Sequence, residues 1–251
     1  MREFGLIGFP LGHSFSEKYF NDKFRSEGPE GCHYALYPLE NISLLLPLVN
    51  NSRELCGLNV TIPYKTEVIK FLDETDAEAK AIGAVNVIKI TRSPESLILR
   101  GYNTDAPAFR QTIVNLRNAE IKSAMVLGTG GASASVCHVF ENMNVKVRRV
   151  SREKGKGEIT YTDLRKTDIQ EADIIVNTTP LGMYPITERC PEIDYDSLLP
   201  RQILYDLIYN PVKTGFLLQG ERRGCRIVNG LEMLHLQAEM SWKIWNDEGI
   251  R

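Results

Sequence analysis

The chain has 251 residues, enough for one large domain or two small ones. Its composition, 43% hydrophobic and 25% charged, is that of an ordinary soluble globular protein and excludes a disordered tail, a collagen or a low-complexity scaffold. Thirty Lys and Arg stand against thirty-two Asp and Glu, a formal net charge of -2, so no basic excess points to nucleic acid or an anionic membrane.

In chain order, the pattern is an alternation of short β-branched runs with amphipathic stretches. Strands are expected at 3–8, 33–39, 57–62, 84–90, 97–103, 124–128, 145–151, 173–179, 203–209 and 226–230. Helices are expected at 16–26, 64–72, 106–116 and 132–143, and over 230–247, where Leu231, Leu234, Ala238, Trp242 and Trp245 repeat at helical spacing. The N-terminal segment reads as a first strand rather than a leader, because Gly5, Gly8 and Pro10 break its apolar run. Pro47 interrupts the richest apolar stretch, 44–49, far below the roughly 20 residues of a membrane span. The alternation predicts α/β units with largely parallel sheets. A break near 103–105 divides them into two α/β domains flanking a cleft, the second a Rossmann-like doubly wound parallel sheet.

Cys32, Cys56, Cys137, Cys190 and Cys225 are odd in number and form no C-x-x-C pair, which suits a reducing cytoplasm and not a disulfide framework. His13, His33, His138 and His235 lack ligand spacing, so no metal site is expected.

Chemistry enters at the strand ends. AMVLGTGGAS (124–133) is an apolar strand running into Gly128, Gly130 and Gly131 and then a helix. Such glycines let a backbone approach a pyrophosphate, and the helix N-terminus offers it N–H groups. Ser133 takes the third glycine position and is small enough for close helix–strand contact. An ordinary strand–helix turn is the blander reading; the strand 145–151 that follows favours a dinucleotide. At the end of that strand, where an NAD site places a carboxylate, the chain reads Ser151-Arg152-Glu153-Lys154-Gly155-Lys156. Ser151, Arg152 and Lys154 or Lys156 suit the 2′-phosphate of NADP, with a solvated basic loop as the alternative and Glu153 as an opposing charge.

In GLNVTIPYK (57–65), strand alternation points Leu58, Val60 and Ile62 to the core and puts Asn59 and Thr61 on the other face, suited to a polyhydroxylated ligand. Pro63 can open a helix whose first turn holds Lys65, where the dipole would ease loss of its proton. Lys65 is then either an acid–base group or a surface lysine. Asp105 in GYNTD (101–105) is a ligand group or a helix N-cap. Ser14 and Ser16 in HSFS (13–16) bind a carboxylate or cap a helix, and His13 packs. Asn86, within an apolar strand, requires a partner.

HSFS, NVTIPYK, GAVN (83–86), GYNTD, VLGTGGAS, NTTPLGM (177–183), DLIYNP (206–211) and NGLEMLHLQA (229–238) follow in the order, and near the spacings, of the shikimate dehydrogenase family, which the chain resembles over nearly its whole length. Departures are Phe9 and Glu17 in the first motif, Ala108 after GYNTD, and Ser151 and Glu153 in the phosphate motif. The resemblance implies NADP-dependent, reversible reduction of 3-dehydroshikimate to shikimate. It implies a catalytic pair, Lys65 and Asp105, and substrate ligands Ser14, Ser16, Asn59, Thr61, Asn86, Asp105, Tyr209 and Gln237. It implies a pyrophosphate turn of Gly128, Gly130, Gly131 and Ala132, a 2′-phosphate set of Ser151, Arg152 and Lys156, and cofactor-lining Thr178 and Met233. It also implies a substrate-binding domain over 1–104, completed by the helix at 230–251, and an NADP-binding domain over 105–229. A monomer or homodimer acting on a small molecule is expected, with neither nucleic acid nor membrane as partner. A quinate/shikimate dehydrogenase with relaxed cofactor use and a non-catalytic ligand sensor are the competing readings.

Overall fold

Apolar strands in this chain end in polar residues, and the fold places those ends beside helix starts. The structure, a computed structural model, describes residues 1–12, 15–26, 30–116 and 119–247. The chain divides into two units, 1–104 with 238–251, and 105–237.

The first unit runs β1 (Arg2–Gly8), α1 (Phe15–Ser26), β2 (Cys32–Pro38), α2 (Leu45–Asn51), β3 (Leu55–Val60), β4 (Glu74–Thr75), α3 (Ala77–Ile82), β5 (Val87–Arg92) and β6 (Leu97–Tyr102). Its sheet has the order β2-β1-β3-β5-β6-β4. The pairings of β1 with β2 and β3 are parallel, whereas β5 is antiparallel to both β3 and β6. This sheet is therefore mixed. The β5–β6 connection is too short for a parallel crossover, and the Ser93 N–H closes it on the Ser96 carbonyl. One face packs Ile7, Leu58, Val60, Val68, Val85 and Ile88 into a core. The other buries Phe4, Phe20, Tyr34 and Val87 with Trp245. Trp245 donates from Nε1 to the Ile88 carbonyl (3.0 Å) and lies where a Cβ on Gly57 would be, so that strand position requires glycine.

The second unit runs α4 (Asp105–Val114), β7 (Ser123–Leu127), α5 (Gly131–Asn142), β8 (Lys146–Ser151), β9 (Ile159–Thr160), α6 (Lys166–Glu171), β10 (Ile174–Asn177), β11 (Ile203–Asp206), α7 (Gly215–Arg222), β12 (Arg226–Val228) and α8 (Leu231–Trp245), which crosses the unit boundary after Gln237. Its sheet, β12-β11-β10-β7-β8-β9, is wholly parallel and doubly wound outward from β7. Phe109, Phe140 and Tyr205 pack edge to face on the α4/α5 side. Met125, Ile175, Leu204, Phe216 and Leu217 fill the other side. No helix among the described residues is long and apolar enough to cross a membrane.

The strand and helix expectations miss in informative places. The helix expected over 64–72 is a turn followed by a 3-10 segment, Glu67–Phe71. The Lys65 carbonyl accepts the Val85 N–H (2.7 Å), so a tertiary partner takes a carbonyl that a helix would use internally, and the Tyr64 side chain is tied to the Leu39 carbonyl (2.5 Å). Lys65 consequently lies in no helical first turn. Ile62, expected in the core, is half exposed because β3 ends at Val60. The expected strand at 84–90 begins only at Val87. The short elements α2, α3, α6, α7, β4 and β9 carry too few residues to declare a period.

Candidate active site

In the first unit the polar strand ends are knitted into one buried network. Asn59, 5% exposed, sits one residue before the end of β3. Its Oδ1 accepts from the Tyr34 hydroxyl (2.8 Å), and its Nδ2 donates to Ser241 Oγ (3.0 Å) and the Asn86 carbonyl (3.4 Å). Ser16, on the first turn of α1, hydrogen-bonds the Tyr34 hydroxyl. Burial pushes that phenol far above its usual range, so Tyr34 is a neutral spacer between Ser16 and Asn59. Asn86 finds the partner its sequence context demands: Oδ1 accepts the Thr104 N–H (2.7 Å) and Nδ2 donates to Thr104 Oγ1 (2.9 Å). Asn103 donates to the Ala84 carbonyl (2.9 Å). The GAVN and GYNTD segments are thereby locked to each other, and Ser16, Asn59 and Asn86 come together through Tyr34 and backbone.

Thr61 and Lys65 follow on the turn after β3, both half-buried. The Thr61 backbone is pinned by the Ile7 carbonyl (2.9 Å), and the Lys65 backbone by Val85 (2.7 Å), which leaves the ammonium on a fixed root. Asp105, 5% exposed, is the first residue of α4 rather than a residue preceding it, a position whose helix dipole suits a carboxylate. The division of the chain puts Lys65 in the first unit and Asp105 at the start of the second. His13 and Ser14 lie outside the described residues.

In the second unit β7 runs directly into the glycine turn. Gly128 has φ +115°, and a Cβ there would meet Thr178 Oγ1 at 2.7 Å and Thr179 Cγ2 at 3.1 Å. Thr178 cannot yield easily, because its hydroxyl donates to the Leu127 carbonyl (2.7 Å). Gly130 is the N-cap of α5 and no side chain caps that helix. A Cβ on Gly130 would meet nothing within 4 Å, so the space beside this helix start is open, and first-turn N–H groups lack partners within their own helix. Ser133, at the third glycine position, is buried and donates to the Gly128 carbonyl (2.7 Å), bracing the turn from inside. This is the cradle a pyrophosphate requires, and these residues fit a dinucleotide.

At the end of β8, Ser151 is buried and accepts the Glu153 N–H (3.0 Å), while Arg152 is exposed. Lys156 is held 2.7 Å from Glu153, and this pairing holds the Glu153 carboxyl below its usual pKa range. Residues 152–158 form no helix although they join two parallel strands. Thr178 backs the glycine turn, Met233 is buried near the start of α8, and Tyr209 is half-buried. Gln237 donates to the Leu234 carbonyl one turn earlier (3.0 Å).

Sequence reasoning did not single out Tyr34 and Ser241, which orient Asn59, nor the buried trio of Asn177, Asp206 and Thr214. A polar residue closing an apolar strand was the available signal in NTTPLGM and DLIYNP.

The family described as the shikimate dehydrogenase substrate binding domain matches residues 6–88. A protein of Clostridium beijerinckii named shikimate dehydrogenase (NADP(+)) is 40% identical over 98% of this chain and 93% of its own length. One of the same name from Methanococcus maripaludis is 36% identical over 96% of this chain and 90% of its own. A crystal structure of the Thermus thermophilus shikimate 5-dehydrogenase, in complex with NADP(H) and shikimate, superposes with a TM-score of 0.84, at 26% identity over 98% of this chain and 94% of that one. With a glycine cradle on the parallel sheet, a polar cluster on the strand ends of the mixed one, and relatives of this identity along nearly its full length, the chain belongs to the shikimate dehydrogenase family.

Proposed function

We propose that the chain catalyses the reversible, NADP-dependent reduction of 3-dehydroshikimate to shikimate, an oxidoreductase step on the way to chorismate and the aromatic amino acids. The observation that carries this reading is the uncapped glycine turn at Gly128–Gly131 in a chain that also holds the Ser16–Asn59–Asn86 network beside Lys65. Residues 1–104, with the C-terminal helix, take the substrate, and 105–229 take the cofactor.

Bound NADP supplies or accepts the hydride. Lys65 gives its proton to the carbonyl oxygen as that oxygen gains charge, a contribution of about 10²–10⁴-fold. Asp105 accepts from a ring hydroxyl. Ser14 and Ser16 receive the substrate carboxylate. Asn59, Thr61, Asn86, Tyr209 and Gln237 bond hydroxyls. A site so built rejects an analogue that lacks a hydroxyl by roughly 10⁴–10⁵, because buried polar groups would stay unpaired. Gly128, Gly130, Gly131 and Ala132 hold the pyrophosphate, Ser151, Arg152 and Lys156 the 2′-phosphate, and Thr178 and Met233 line the cofactor. The cysteines are free thiols, in keeping with a reducing cytoplasm, where the enzyme acts as a monomer or homodimer.

The test is purified protein with shikimate or quinate and NADP⁺ or NAD⁺, followed at the absorbance of the reduced cofactor. Shikimate with NADP⁺ should turn over fastest. Saturable binding of both ligands without reduction in any combination would overturn the reading. The Lys156–Glu153 pair favours one second reading, a dehydrogenase with weaker discrimination between NADP⁺ and NAD⁺.

A further inference from the structure

The parallel strands β10 and β11 end side by side, with Asn177 opposite Asp206. Both side chains are fully buried, and the reaction proposed above uses neither. Asp206 Oδ1 accepts from Asn177 Nδ2 (3.1 Å) and from the Ile208 N–H (3.0 Å). Its Oδ2 accepts from the Thr214 hydroxyl (2.6 Å). Thr214 is in turn the N-cap of α7. One carboxylate therefore holds the whole segment from Ile208 to Thr214, which carries Tyr209.

The same carboxylate reaches the glycine turn through Asn177. With its amide nitrogen on Asp206, Asn177 presents Oδ1 to the next loop, where it accepts the Thr179 N–H (3.0 Å) and the Thr179 hydroxyl (2.7 Å). Thr178, between them, is bonded through its N–H (3.0 Å) and its hydroxyl (2.7 Å) to the Leu127 carbonyl, directly beneath Gly128. A flipped Asn177 amide would set an NH₂ against two donors and release the loop.

Chemistry explains why the node is an acid. Two N–H groups meet one of its oxygens and the Thr214 hydroxyl, turned to donate, meets the other, so the carboxylate accepts from all three together. Burial pushes the Asp206 carboxyl up to about 6, opposed by the bonds from Thr214, Ile208 and Asn177. A fully buried carboxylate kept on neutral donors is costly.

We propose that Asp206 is a positioning residue for the cofactor: by orienting the Asn177 amide and anchoring 208–214, it holds the 177–181 loop against the Gly128 turn and so sets dinucleotide affinity. The proposal rests on the reading of that turn as the NADP site. The test is the full-length enzyme carrying Asp206→Ala, which removes both acceptor oxygens, with Thr179→Val as a second variant that removes one bond at the far end of the relay. NADP⁺ dissociation constants, KM for each substrate and thermal midpoints are measured for both. Asp206→Ala should weaken NADP⁺ binding about tenfold and raise its KM; the shikimate KM rises with it, because Tyr209 rides on the released segment. Thr179→Val should weaken NADP⁺ binding by a smaller factor and leave the shikimate KM within about twofold of the parent. If Asp206→Ala does not fold, the Thr179→Val result decides. A lowered midpoint with NADP⁺ affinity unchanged in the folded variants, or a shikimate KM that rises in Thr179→Val as far as its NADP⁺ KM does, would overturn the proposal. An unmutated enzyme that binds no NADP⁺ would overturn the cofactor reading and this proposal with it, a distinguishable outcome.

Discussion

Arg152 should carry most of the choice between NADP⁺ and NAD⁺. It is exposed at the end of β8, beside buried Ser151, with no helix in the following residues to share the task. Charge-assisted bonds from a guanidinium to a phosphate contribute about 1.5–3 kcal/mol. Arg152→Ala should therefore lower kcat/KM for NADP⁺ by about 10–150-fold and leave NAD⁺ nearly unchanged. Lys156 differs, because its ammonium is neutralised by Glu153 at 2.7 Å and both groups are mostly exposed. Lys156→Met alone should change the cofactor ratio by less than about fivefold. Glu153→Gln should free Lys156 and raise NADP⁺ preference, and Lys156→Met should then cost more in that background than in the parent. The assay is the ratio of kcat/KM for the two cofactors at saturating shikimate, repeated at two ionic strengths because exposed charges are screened. The reasoning fails if Arg152→Ala moves the ratio by less than about twofold, or if Lys156→Met moves it as far as Arg152→Ala does.

Lys65→Met should lower kcat by about 10²–10⁴-fold while shikimate still binds, read by equilibrium titration beside steady-state kinetics; a kcat near that of the parent would remove Lys65 as the acid. Gly128→Ala forces a side chain into φ +115° against Thr178 and Thr179, a strain of about 1–3 kcal/mol, so both the thermal midpoint and NADP⁺ affinity should fall. The acid limb of stability should depend on Asp168, whose side chain is 1% exposed and hydrogen-bonded by Arg165 and Arg148. Arg165, foremost, holds the Asp168 pKa down at about 2, below its ordinary 3.8. A depressed carboxylate stabilises the fold above its unfolded pKa, and that stability is lost as pH falls through the folded one. With the exposed Arg165 screened by solvent, the contribution is about 1–2 kcal/mol. Arg165→Ala should accordingly lower the midpoint at pH 6 more than at pH 2, and equal shifts at both would count against the assignment.

Much of this protein is legible in its residues alone. Strand period, the glycine run after β7, the polar strand end at Asn59 and the need of Asn86, among apolar residues, for a partner are local properties, written in consecutive residues and readable as such. The parallel second sheet followed from its alternation with helices. Partner choice was not legible, because it is made across long sequence separations. Nothing near Asn59 in the chain announces Tyr34 or Ser241, and nothing near Lys65 announces that Val85 will take its carbonyl and leave a turn where a helix was expected. Nor does the order of residues reveal that Glu153 will neutralise Lys156, or that Asp206 will stand opposite Asn177. Backbone periodicity is decided by neighbours a few residues away. The satisfaction of buried polar groups is decided by whatever the folded chain brings within hydrogen-bond reach, and only the tertiary structure decides that.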